Sequence, residues 1–156
     1  MDFDRLQSLL AALEREGVNY AIFGAMALNL HGLARFTEDI DLFIAPEAEN
    51  VERLKRALKA VFDDPAIDEI SAADLLGAYP AVQYVPPEGA FHVDILTKLG
   101  SAFAFADLAT ERVPFGDLVV TVVTARTLYQ MKRDTVRPKD RVDAEMLKQR
   151  FKLDEP

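Results

Sequence analysis

The chain has 156 residues, 50% of them hydrophobic and 28% charged, an ordinary globular composition that predicts one domain spanning 1–156 with a self-sufficient core. The absence of cysteine excludes a disulfide scaffold, a zinc ribbon and a cysteine nucleophile. Its net charge of -8, from 26 acidic and 18 basic residues, disfavours a large nucleic-acid footprint, which would draw on Lys and Arg against phosphate.

In chain order, Phe3, Leu6, Leu9, Leu10 and Leu13 recur at helical spacing and Gly17 stops them, predicting an amphipathic helix over 3–16. The run VNYAIF reads as a strand ending at Gly24, and AMALNLHG as a short helix stopped by Gly32. In DIDLFI, residues 39–44, apolar Ile40, Leu42 and Ile44 alternate with Asp39, Asp41 and Phe43, as in a strand with one buried face. Pro46 suits the first turn of a helix carrying Val51, Leu54 and Leu58. Residues 63–78 are ambiguous apart from a Ser71/Asp74 capping signal. Residues 81–85 and 91–96 read as a hairpin across PPEG, and 118–123 as a further strand after the PFGD turn. Thr124 can cap a helix running to about Arg133, and a last helix follows Pro138 with Val142, Met146 and Leu147. The order predicts an α+β (mixed α/β) fold, a mixed sheet flanked by helices, with a core at about 1–123 and a short C-terminal helical segment at about 124–150. No apolar run approaches the roughly 18 residues of a membrane span and the first residues are acidic, so a cytoplasmic chain without membrane partners is expected.

An ionised carboxylate within an apolar strand costs several kcal/mol unless partnered. Asp39 and Asp41 stand two residues, about 6.6 Å, apart on one strand face, and a hard divalent cation such as Mg²⁺ relieves the repulsion. Asp94 in VDI repeats the anomaly. If its strand neighbours DIDLFI, the three acids converge on two metal ions. Upstream, Gly24 ends a strand and opens a helix, an arrangement that can hold a phosphate. Each signal is weak alone, and a paired surface acid or a plain turn glycine explains most such motifs. Their succession is far more specific.

The stretch FGAMALNLHGLARFTEDIDLFI, Phe23 to Ile44, resembles the signature of the nucleotidyltransferase superfamily with a DNA polymerase β-like core: a G-[GS] turn, a helix, an R-x-T element and D-x-D. YQMKRDTVRPKDRVDAEML, Tyr129 to Leu147, resembles the K…R-x-K-D-x-x-D segment of small bacterial members, the AbiEii-type toxins and their stand-alone relatives. The resemblance implies transfer of a nucleoside monophosphate from a triphosphate such as ATP to an acceptor hydroxyl on a protein, a small molecule or an RNA end. It implies that Gly24 and Ala25 contact the triphosphate, that Asp39 and Asp41 bind Mg²⁺, and that Asp94 completes the metal site or accepts a proton. Two ions are expected, with Mn²⁺ as a substitute. Arg35 and Thr37 would position the phosphates or the loop, Lys132 would reach the triphosphate, and a cognate toxin or antitoxin is the implied partner. Ala25 stands where the family has Gly or Ser. A second reading is therefore a catalytically inactive nucleotide-binding or protein-interaction module.

Of the two histidines, His31 reads first as a polar cap at a helix end, while His92 alternates with Asp94 and could line the site. Asp140 and Asp143 read as first-turn helix acids or ion-pair partners of Arg137 and Lys139, supporting residues rather than metal ligands.

Overall fold

The computed structural model describes residues 2–88 and 91–153. Helix α1 (Phe3–Arg15) starts where the Asp2 carboxylate accepts the Arg5 N–H, and buries Leu6, Leu9, Leu10 and Leu13. Strand β1 (Tyr20–Phe23) leads directly into α2 (Gly24–Leu30), and β2 (Asp39–Ile44) coincides with the expected run. Helix α3 (Ala48–Val61) has Glu47 as its N-cap, so Pro46 precedes the helix and does not sit in its first turn. The ambiguous stretch forms a 3₁₀ turn (Pro65–Glu69) and the short α4 (Ala72–Leu75), whose first turn is capped by the Ser71 hydroxyl accepting the Asp74 N–H.

Strands β3 (Ala81–Tyr84) and β4 (His92–Leu96) form the expected antiparallel pair; of its PPEG loop, Gly89 lies outside the described residues. A two-residue pair, β5 (Lys98–Leu99) and β6 (Phe103–Ala104), and the strand β7 (Thr110–Phe115) are additions to the sequence reading. Strand β7 pairs with β8 (Leu118–Val123) across the PFGD turn. Helix α5 (Ala125–Arg133) is capped by Thr124, and α6 (Pro138–Phe151) has Pro138 in its first turn. Among the described residues no helix is long and apolar enough to cross a membrane.

The six-stranded sheet has the order β3-β4-β2-β1-β8-β7, with β2–β4 and β1–β8 parallel and the other neighbours antiparallel. Ile40, Leu42 and Ile44 of β2 are fully buried, as are Val93 and Ile95 of β4. The opposite face of β2 begins with Asp39 and Asp41 but closes on Phe43, which is also fully buried under the rings of Phe23 and Phe105. Burying such a ring stabilises the fold by about 2–3 kcal/mol. The acids therefore occupy only the N-terminal part of β2, and an aromatic plug seals the strand beyond them.

Candidate active site

Parallel pairing of β2 with β4 sets Asp39 opposite His92 and Asp41 opposite Asp94. Alternate strand residues share a face, so Asp39, Asp41 and Asp94 reach one surface. On the other side of β2, Phe23 lies opposite Asp41, and the chain turns there into α2 at Gly24. A Cβ on Gly24 would stand 1.9 Å from Asp41 Oδ2, and its φ is +70°. Both the close approach and the left-handed backbone require glycine.

These residues line a cavity of about 530 Å³, within the range of small-molecule sites. Ala25, Thr37 and Lys132 line it too, as do Arg137, Lys139 and Asp140 from the start of α6 and the loop before it. Of the residues singled out from the sequence, Gly24, Ala25, Thr37, Asp39, Asp41, Asp94 and Lys132 line the cavity, and Arg35 and His92 do not. The Arg35 guanidinium is engaged elsewhere: Nε donates to Asp143 Oδ1 at 2.8 Å, and Nη2 pairs with the same oxygen and touches Met146. Its backbone N–H donates to Asn29 Oδ1 at 2.6 Å. Arg35 ties the loop before β2 to α2 and α6. Thr37 completes that loop, its hydroxyl accepting the Asp39 N–H and donating to the Asp39 carbonyl, both at 3.0 Å.

Burial pushes the Asp41 carboxyl up to about 7, with the hydrogen-bonded Asp94 and the charge of Asp39 adding to the shift and Lys132 opposing it. A perturbed acid in a cleft is what catalytic and metal sites provide. Asp94 also accepts from Gln83 Nε2 at 2.9 Å, and Asp39 faces His92 Nδ1 at 3.2 Å. His92 therefore borders the acids. His31 caps α2, and its ring meets the Val123 carbonyl at 2.8 Å, remote from the cavity lining. Among the described residues no three acidic or histidine groups form a ready-made metal cage. The acids offer a partial shell of hard oxygen donors with surplus negative charge.

The basic component is held from behind. Lys132 Nζ lies 3.1 Å from Asp140 Oδ1 and 3.2 Å from Asp143 Oδ2. Asp140 is drawn two ways: burial raises its pKa, but Lys132, the Thr135 hydroxyl and the charge of Arg137 outweigh it, leaving the carboxyl below its ordinary value. Asp143 pairs with Arg35 and Lys132, a correction to the expected pairing with Arg137 and Lys139; Arg137 reaches Asp140 at 3.7 Å. The i,i+3 spacing of the two acids puts both on one side of α6, a signal that a buried charged face was present. It could not name the partners.

The fold is similar to that of the lincosamide antibiotic adenylyltransferase LnuA in its lincomycin-bound form, at 14% identity over 93% of this chain and 95% of that one, with a TM-score of 0.62. It is also similar to ANT(2'')-Ia in complex with adenylyl-2''-tobramycin, at 15% identity, 94% and 87% coverage and a TM-score of 0.56. A nucleotidyltransferase-like antigenic protein from Paracoccidioides brasiliensis matches at 18% identity, 92% and 74% coverage and a TM-score of 0.52. At such identities the likeness is one of fold. No curated protein sequence matches the chain. The family model described as nucleotidyl transferase AbiEii toxin, type IV TA system, matches residues 8–156, nearly the whole chain, and the protein belongs to that family of nucleotidyltransferases.

Proposed function

We propose that the chain transfers a nucleoside monophosphate from a nucleoside triphosphate to an acceptor hydroxyl, assisted by divalent metal held by Asp39 and Asp41 and completed by Asp94. The carrying observation is that these three acids meet beside Gly24 and Lys132 on one cavity. Mg²⁺ fits the donor set, which is all oxygen and short of a full shell, since Mg²⁺ takes one or two carboxylates and fills its coordination with phosphate and water. The fit also rests on Asp41, whose carboxyl is pushed up to about 7 by burial and its acidic neighbours, so the site is short of positive charge. Mn²⁺ would satisfy the same donors. When bound, such ions lower the pKa of the acceptor hydroxyl and neutralise charge on the departing pyrophosphate.

The chain's own groups supply the rest. The N–H groups of Gly24 and Ala25 and the Lys132 ammonium bind the triphosphate and orient its α-phosphorus in line with the acceptor. The acceptor oxygen forms a bond to the α-phosphorus as the bond to the bridging oxygen breaks. Pyrophosphate leaves with that oxygen. Asp94, hydrogen-bonded beside Asp41, takes the acceptor's proton. No covalent enzyme intermediate is required.

A small molecule or protein hydroxyl suits a chain of net charge -8 better than RNA does. Complexes of similarly folded proteins with lincomycin and with adenylyl-2''-tobramycin support a small hydroxylated acceptor. The family's description supports a place in a toxin–antitoxin pair with a cognate antitoxin. The test is incubation with each α-³²P-labelled nucleoside triphosphate, Mg²⁺ and cell lysate, beside Asp39→Ala and Asp41→Asn. Label transferred only by the unsubstituted protein supports the reading and shows the acceptor's class. Nucleotide binding without transfer by any form leaves a binding module instead.

A further inference from the structure

The two most exposed large apolar side chains among the described residues are Val136, 85% exposed, and Phe36, 82%. Single exposed apolar residues are common on any surface. Here both line the same cavity, Phe36 from the loop before β2 and Val136 from the loop between α5 and α6. Leu99, Leu128 and Met131 continue the apolar lining. The cavity therefore combines acids, cations at Lys132, Arg137 and Lys139, and an apolar section. That third component has no task in binding phosphate or metal.

Resting on the transferase reading, we propose that Phe36 and Val136 hold the nucleobase of the bound triphosphate by its faces, Phe36 stacking against the ring. A flat heteroaromatic ring is the part of a nucleotide that gains from apolar contact, and aromatic stacking accepts any base because every base has a π-face. Base selection would otherwise need groups that read its edge, such as the paired donor and acceptor of Asn or Gln. Neither residue type is among the described residues lining the cavity, and of its charged side chains Lys132 and Arg137 are already paired with Asp140. A site that holds the base by stacking binds all four nucleoside triphosphates, purines ahead of pyrimidines through their larger stacking area.

Calorimetric titration in Mg²⁺ of the protein with ATP, GTP, CTP, UTP and inorganic tripolyphosphate tests this, comparing the unsubstituted chain with Phe36→Ala, Phe36→Trp and Val136→Ala. Phe36→Ala should weaken ATP binding about tenfold or more, the loss of one base–aromatic stack, and leave tripolyphosphate binding unchanged. Phe36→Trp should restore ATP binding, Val136→Ala should weaken it less than Phe36→Ala, and the four triphosphates should fall within about tenfold of one another. Both side chains are exposed, so melting temperatures should not move. If Phe36→Ala binds ATP normally, or loses ATP and tripolyphosphate equally, the stacking role is overturned while the transferase reading stands. If the unsubstituted protein binds none of the five ligands, the transferase reading fails and the stacking role with it.

Discussion

Replacing Asp143 by alanine removes a carboxylate that joins the loop before β2, helix α5 and helix α6. Its side chain is 2% exposed and serves two cations, Arg35 at 22% and Lys132 at 13% exposure. Breaking a buried ion pair by deleting one partner costs about 3–5 kcal/mol, because the other charge is left without compensation. Both cations retain some access to water, which places the expected loss near the lower figure, about 3 kcal/mol. At about 2–4 °C per kcal/mol for a chain of this size, the melting temperature should fall by about 6–12 °C. Asp143→Asn keeps the shape and one acceptor but not the charge, and should lose about half as much. Urea unfolding followed by circular dichroism at pH 7 measures both, with the midpoint shifting and the slope unchanged. In a double-mutant cycle, Arg35→Met combined with Asp143→Ala should cost less than the two single losses added together. A loss under about 1 kcal/mol for Asp143→Ala, or strict additivity in the cycle, would refute the assignment of this acid as the tie.

Gly24→Ala should keep the circular dichroism spectrum and lower kcat about 100-fold, since the added methyl displaces the Asp41 carboxylate and a misplacement of about 1 Å costs that much; unchanged turnover would contradict the close approach. Asp41→Asn should abolish transfer while leaving the melting temperature at pH 8 unchanged or higher, because it relieves crowding among Asp39, Asp41 and Asp94; thermal shift and the labelling assay read the two effects separately. Glu14 is held below its ordinary pKa by the Arg112 guanidinium, with the Tyr20 hydroxyl assisting against burial. Its contribution is therefore present above the unfolded carboxylate value and lost as pH falls below about 4.5. The unsubstituted protein should lose about 1 kcal/mol more than Glu14→Gln between pH 5 and 3, a small figure because the Arg112 side chain is half exposed, and acid titration of urea midpoints checks it.

The strands that build the site were legible because an acid stands between buried apolar neighbours in each: HVDIL alternates throughout and DIDLFI as far as Leu42, and an acid in such a pattern is conspicuous. Strand β7 was not. As the sheet's edge it leaves Thr110, Glu111, Arg112 and Pro114 exposed, so it has no apolar period, and its proline is tolerated there because an edge strand can spare an N–H. Helix α6 misled for a related reason. Its apolar residues pointed to a stripe of Val142, Met146 and Leu147, whereas Val142 is 56% exposed and the inward face carries Asp140, Asp143, Ala144 and Leu147. A face buried through ion pairs has no hydrophobic period to read. The motif left Arg35 with either the phosphates or the loop to position and did not disclose Asp143, which lies 108 residues away, because nothing local in the sequence connects the two.

The alignment of Asp41 with Asp94 gives the fold a means of proofreading its own chemistry. Side chains alternate along a strand, so sliding β4 by one residue against β2 would turn Val93 or Ile95 outward into the acidic cleft and drive Asp94 into the hydrocarbon interior. Both errors are penalised by the same core that stabilises the native pairing, and no intermediate slippage is open to the strand. The spacing between the two carboxylates is therefore as well defined as the packing beneath them.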